Sequence, residues 1–150
     1  MEPSIQFETS SGVVSIEPLQ IHLRAGLPES VALLGLGTLL AGVTDHGNGY
    51  KWLRCRGLTL FDRPCGLAIC FHREALTELH FGVALPDAVL EGGWPTRSTI
   101  DKEVAFMRAQ LGTVFSRSFS KGEEAFDWGV VWSCFDPKGF SASTGLRYAA

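Results

Sequence analysis

Apolar positions recur along this 150-residue chain at two periods, and each predicts a different kind of element. Ile100, Val104, Met107, Leu111 and Val114 fall at steps of three and four, which is one stripe of an α-helix, while Asp101, Lys102 and Arg108 lie away from it. Ser98 with Asp101 three residues on resembles a capping pair that opens this helix. Phe106 falls off the stripe by about a third of a turn, where it either widens the buried face or projects toward a partner.

Alternation of apolar and polar residues governs most of the remainder. Residues 66–73 place Leu67, Ile69 and Phe71 on one face, and residues 77–85 do the same with Leu79, Phe81 and Val83, so the two runs predict a hairpin. A two-residue turn at Glu74-Ala75 would set Phe71 against Glu78 and mix the faces. A three-residue loop over 74–76 sets Phe71 opposite Leu79 and Ile69 opposite Phe81, and is the register expected, because a one-residue slip exchanges the faces. It also gathers Cys70 opposite His80 and His72 opposite Glu78.

A second hairpin is marked more strongly. Trp128, Val130, Trp132 and Cys134 alternate with Gly129, Val131, Ser133 and Phe135, and the run ends at Asp136-Pro137-Lys138-Gly139, whose Asp, Pro and Gly match the positions of a type I turn. The returning strand, 141–148, has Ala142, Thr144, Leu146 and Tyr148 on one face and Ser141, Ser143, Gly145 and Arg147 on the other. Two short strands, 12–16 and 19–23, flank Glu17-Pro18, since proline has no donor for a strand ladder. Pro28 and Glu29 suit the first turn of a short buried helix over 29–40, and Arg56-Gly57 suits a tight turn between strands 50–55 and 58–61. The expected fold is α+β: an antiparallel sheet of hairpins packed by one long amphipathic helix, with a short second helix near the N-terminus, in a single domain over 1–150.

Composition narrows the function classes. With 45% hydrophobic and 19% charged residues, including 4 Trp and 10 Phe, the chain has ample apolar surface to offset chain entropy, so a folded core is expected without a metal or disulfide. The net charge is −3 and the basic residues are scattered, which argues against nucleic acid as a partner. The longest apolar stretch, 31–43, is broken by Gly35, Gly37 and Gly42 and is shorter than the roughly 20 residues that cross a bilayer, so no membrane span is expected. No positive segment precedes an apolar run at the start, and Cys55, Cys65, Cys70 and Cys134 show no Cys-x-x-Cys spacing; the expected setting is cytoplasmic, with reduced thiols.

Candidate chemistry is sparse. The glycine run 35–42 lacks the spacing of a dinucleotide or phosphate loop, and 45–49 lacks calcium-loop spacing, so no cofactor and no catalytic residue is assigned. The expected register places Cys70, His72, Glu78 and His80 on one sheet face, where thiolate, imidazole and carboxylate would be competent metal ligands or would support thiol chemistry. The plainer reading is a polar cross-strand pair beside a buried cysteine. Among the aromatics, Trp128 and Trp132 are expected in the core. Trp94 in a Gly/Pro loop, Phe140 beside Lys138 at a hairpin tip, and Phe106 are the candidate interface residues.

The ending Trp128-Gly129-Val130-Val131-Trp132-Ser133-Cys134-Phe135-Asp136-Pro137-Lys138-Gly139, followed by Ser141-Ala142-Ser143 and Tyr148, resembles the C-terminal hairpin of small bacterial proteins akin to immunity proteins that neutralise secreted toxins. That resemblance covers about a quarter of the chain and implies a protein-binding module with a toxin as partner, its mildly acidic surface meeting a basic toxin. Two other readings stand beside it: a small metal- or thiol-dependent enzyme working at Cys70, His72 and His80, and a self-associating structural domain forming a homodimer.

Overall fold

The computed structural model describes residues 2–150. Strands β1 (Ser4–Phe7), β2 (Val14–Glu17) and β3 (Ile21–Leu23) form an antiparallel meander, followed by helix α1 (Glu29–Leu36) and a 3-10 turn (Gly37–Leu39). Strands β4 (Leu40–Asp45), β5 (Tyr50–Leu60), β6 (Arg63–His72) and β7 (Ala75–Val83) come next, then a two-strand finger of β8 (Leu90–Glu91) and β9 (Trp94–Pro95), helix α2 (Arg97–Phe115), and β10 (Glu123–Phe126), β11 (Gly129–Asp136) and β12 (Ser141–Tyr148). Among the described residues one ten-stranded sheet runs β10-β11-β12-β7-β6-β5-β1-β2-β3, with β4 also paired to β5. Every pairing is antiparallel except β1 with β5, which meet in parallel at Ser4 and Thr59. The fold is α+β with a largely antiparallel sheet.

Alternation along the strands sorts side chains onto two faces. Leu53, Leu67, Ile69, Leu79, Phe81, Val131 and Leu146 face inward, where Met107, Leu111 and Phe115 of α2 and Phe119 beyond it share one core with Val14, Ile16 and Leu23. The sheet curls enough for strands remote in its order to meet: the buried Tyr148 hydroxyl of β12 donates to the Gly12 carbonyl at 2.7 Å and lies 3.3 Å from that of Leu23. Lys51 of β5 holds α1 through Glu29 at 2.9 Å.

The helical stripe from Ile100 is buried as expected, but α2 begins earlier than Ser98. Thr96, in extended conformation, is the N-cap and its hydroxyl accepts from the Thr99 amide at 3.2 Å, while Asp101 pairs with Arg97 one turn back at 2.9 Å. Phe106 widens the buried face, meeting Phe61 edge-on at 6.4 Å between centroids. The helix expected over 29–40 stops at Leu36, because Gly37 turns to a positive φ of 49°, and Leu40 opens β4. Nor is it a buried helix: Ala32 and Leu36 are buried, whereas Leu34 is 88% exposed. A short apolar run does not distinguish helix from strand, and here it splits between them.

Two turns also differ. Arg56-Gly57 is a bulge within the continuous strand β5, with Gly57 at φ 81°, and the reversal falls at Phe61-Asp62, both at positive φ. Between β6 and β7 the turn is Arg73-Glu74, at φ 49° and 70°, the two-residue form with both central residues left-handed. Phe71 therefore pairs with Leu76, three residues from the expected Leu79, and Ile69 with Leu79, two residues from the expected Phe81. The faces are still sorted correctly because Thr77 forms a bulge, one extra residue between the pairs Phe71–Leu76 and Cys70–Glu78. The β11–β12 hairpin has the expected alternation, and the Lys138 amide donates to Asp136 Oδ1 at 3.0 Å in its turn.

Candidate interface

The core lies on one side of the central strands, and the other side is open. Along β5, burying Leu53 forces Tyr50, Trp52 and Arg54 outward; along β6 Cys70 and Ala68 share that side, along β7 Glu78 and His80, along β12 Gly145 and Arg147, and along β11 Trp132. Trp52, His80 and Trp132 make a row across three strands, with His80 edge-on to Trp52 at 4.8 Å and to Trp132 at 5.3 Å. Gly145 lies between β7 and β11 beneath this contact. A Cβ there would stand 2.4 Å from the Leu79 carbonyl oxygen and 2.8 Å from Trp132 Cζ2, so the rings meet because the position is glycine.

Polar partners orient the row. His80 Nε2 and Glu78 Oε2 are 2.5 Å apart, Arg147 Nε lies 3.5 Å from the other Glu78 oxygen, and its guanidinium is 5.4 Å from the Trp132 ring centroid. The hydrogen bond with His80, with help from the charges of His80 and Arg147, holds the Glu78 carboxyl below its ordinary value against the opposing effect of burial. The Trp132 indole donates to Ser143 Oγ at 3.0 Å, and the Arg54 guanidinium donates to Thr44 Oγ1. Trp, Tyr and Arg on an open, rigid sheet are the residue types that anchor protein interfaces.

The four residues singled out for metal or thiol chemistry lie on one side of the sheet, but with other partners than the expected register gave them. Cys70 is 4% exposed and faces Glu78, His72 pairs with Ala75 and stacks on Tyr50 at 4.3 Å, and His80 pairs with Ala68, whereas the expected register set Cys70 against His80 and His72 against Glu78. Glu78 and His80 do meet, as neighbours on one strand. Cys70, His72 and Glu78 border a shared depression beside Tyr50 and Arg147, but among the described residues no three His, Cys, Asp or Glu side chains are grouped to hold a metal ion. Burial pushes the Cys70 thiol up, away from the reactive thiolate, and raises Cys55 to about 11 and Cys65 to about 12.

The other candidates sit at one end of the molecule. Trp94, 72% exposed, stands on the β8–β9 finger beside exposed Val89 and Leu90. Three residues later Arg97 places its guanidinium 3.7 Å from the Phe135 ring centroid, and Phe135 meets Phe140 edge-on at 5.6 Å. Phe140 is 46% exposed, and Lys138 is exposed beside it. Trp128 packs against the core as expected, but Trp132 does not: Val131 and Ser133 are the buried partners of Leu146 and Thr144, so Trp132 points out. Sequence reasoning missed Trp52 and Arg54 as well. Their signal was available in Tyr50-Lys51-Trp52-Leu53-Arg54, where one inward leucine sends both neighbours outward.

These features define a class by shape: a curled, mostly antiparallel sheet with one helix-covered face and one open aromatic face. The same fold occurs in a chain of the solved structure described as "Rhs1-CT in complex with cognate immunity protein RhsI1", with a TM-score of 0.55 and 12% identity over 96% of this chain and 86% of that one. No family model and no curated protein matches the chain.

Proposed function

We propose that this protein is a binding module of the immunity type, which neutralises a cognate bacterial toxin by stoichiometric association in the cytoplasm. The observation that carries the reading is the open sheet face, where Tyr50, Trp52, Trp132, Arg54 and Arg147 are held in place by side-chain contacts rather than by a covering helix. Rigid aromatic anchors lose little conformational entropy on docking, and arginine adds directed charge-assisted hydrogen bonds. The fold likeness to a chain from a toxin–immunity complex supports the same reading. Catalysis at Cys70 is less well supported, since burial disfavours its thiolate.

The test is co-expression with the product of the neighbouring gene. The expected result is relief of that product's toxicity together with a 1:1 complex on size exclusion. Unrelieved toxicity and separate elution of the two proteins would overturn the proposal.

A further inference from the structure

The sheet ends at β10 and β3, and β4 branches from it beside β5, so each of these three strands has a backbone edge with no neighbouring strand. Two of the edges are protected. β10 carries Glu123 and Glu124, and Arg117 donates to its Ala125 carbonyl at 2.6 Å. β3 has only three residues, and the Tyr148 hydroxyl lies 3.3 Å from its Leu23 carbonyl. Charge, short length and covering groups are the ordinary means of keeping a sheet edge from pairing with another chain. Over Leu40–Thr44 β4 has none of them: no charge, no proline and, among the described residues, no strand partner besides β5.

At the hairpin end of β4 the His46 amide donates to the Tyr50 carbonyl, so in the antiparallel ladder the alternate pairs Thr44–Trp52 and Gly42–Arg54 are the hydrogen-bonded ones. The backbone groups of Val43 and Asp45 therefore point away from β5, along the free edge. Val43 shares the core side of the sheet with its buried partner Leu53, yet it is 49% exposed. Helix α1, which leads into β4 through the 3-10 turn, leaves Val31 and Leu34 exposed as well. Residues 30–44 contain no charged side chain. The Arg54 guanidinium lies over Gly42 and Thr44 on the opposite, outer side.

We infer that β4 is the contact through which two copies of this chain pair, antiparallel about a two-fold axis at Val43, so that their sheets become continuous. In that register the two Val43 residues exchange their outward N–H and C=O groups, and their side chains meet on the core side. Asp45 sets the register. With Val43 on the axis the two Asp45 residues are offset by four positions, about 13 Å along the strands, which exceeds the screening length of about 8 Å at physiological salt. Setting Val43 against Asp45 would halve that offset and place each carboxylate beside a valine. A two-fold contact must tolerate its own copy, and the charge-free residues 30–44 do so in a chain whose net charge is −3. This edge is separate from the open face of the central strands, so the inference stands independently of the binding-module reading.

Light scattering of the full chain over a dilution series provides the first test and should show a species of twice the chain mass that dissociates on dilution. Val43→Pro removes an outward amide that β5 does not use; it should keep a native spectrum and raise the dissociation constant about thirtyfold, since two donors are lost per dimer. Val43→Cys in a Cys134→Ser background should form a disulfide between copies under mild oxidation, because the Cα atoms of a hydrogen-bonded antiparallel pair are about 5.5 Å apart. Asp45→Cys in the same background should remain unlinked. A chain that stays monomeric at the highest attainable concentration, a dimer of undiminished affinity in Val43→Pro, or crosslinking at Asp45 as efficient as at Val43 each overturns the inference. So does protection of the Val43 amide from hydrogen exchange that arises only when a toxin is added, which would assign the edge to a strand of that partner.

Discussion

Gly145→Ala is expected to destabilise the protein, although alanine is ordinarily the better residue in a strand. The added carbon would sit 2.4 Å from the Leu79 carbonyl oxygen and 3.1 Å from His80 Cδ2. Even close C–H···O contacts keep carbon and oxygen about 3.3 Å apart, so β12 and β7 would have to separate by nearly an ångström. They are joined at only three register pairs, Gly145–His80, Leu146–Leu79 and Arg147–Glu78, and this seam unites the two halves of the sheet. Overpacking of this kind costs about 1–3 kcal/mol, while loss of glycine's freedom in the unfolded chain offsets about 0.4–1 kcal/mol, leaving roughly 1–2 kcal/mol of net destabilisation. For a chain of this length that is a fall of about 2–8 °C in Tm. Urea unfolding followed by tryptophan fluorescence measures it, and the emission of Trp132 should respond because its ring lies 2.8 Å from the same Cβ. Gly66→Ala and Gly82→Ala, where an added Cβ would meet no atom within 4 Å, are the controls and should be neutral or stabilising by up to about 1 kcal/mol. An unchanged midpoint for Gly145→Ala, or an equal loss in all three variants, would refute the distinction between glycine the fold needs and glycine it does not.

Tyr148→Phe removes the donor to the buried Gly12 carbonyl and should cost about 1–3 kcal/mol in urea unfolding with an unchanged m-value; a loss under half a kcal/mol would mean that water replaces the hydroxyl. Burial raises the Glu103 carboxyl above its ordinary value, so the folded state holds its proton more tightly. The stability this contributes is complete below the ordinary carboxylate pKa and is lost as pH rises through the folded one. Glu103→Gln should therefore raise Tm at pH 7 with the gap closing on acidification, and a gap that widens in acid would contradict it. Under native conditions a thiol reagent should modify the partly exposed Cys134 well before Cys55 and Cys65, whose burial suppresses the thiolate, as peptide mapping would show.

Local pattern carried the inner face of the molecule. The stripe Ile100–Val104–Met107–Leu111, the paired sets Leu67–Ile69 and Leu79–Phe81, and the Asp136-Pro137 turn could all be read from spacing alone, because helix and strand periods report directly which side chains leave water. The fold class followed from them. Register did not, because the bulge at Thr77 inserts a residue that no local signal announces, and two residues' displacement preserves the face pattern while changing every partner. That is why Cys70, His72, Glu78 and His80 were sorted onto plausible positions yet matched with the wrong neighbours.

The split of the 31–43 run into α1, a 3-10 turn and β4 was equally illegible, since apolar content is shared by helix and strand and the choice came from pairing of β4 with β5. The open face was decided last. Its members Trp52, His80, Trp132 and Arg147 belong to four different strands, and only the pairing of β12 with β7 joins the two hairpin systems and brings those side chains together. A sequence records which residues alternate; which strands lie side by side depends on long-range packing around α2. The α+β class and the buried stripe were therefore the sequence's own, and the surface on which a partner would rest belongs to the tertiary structure.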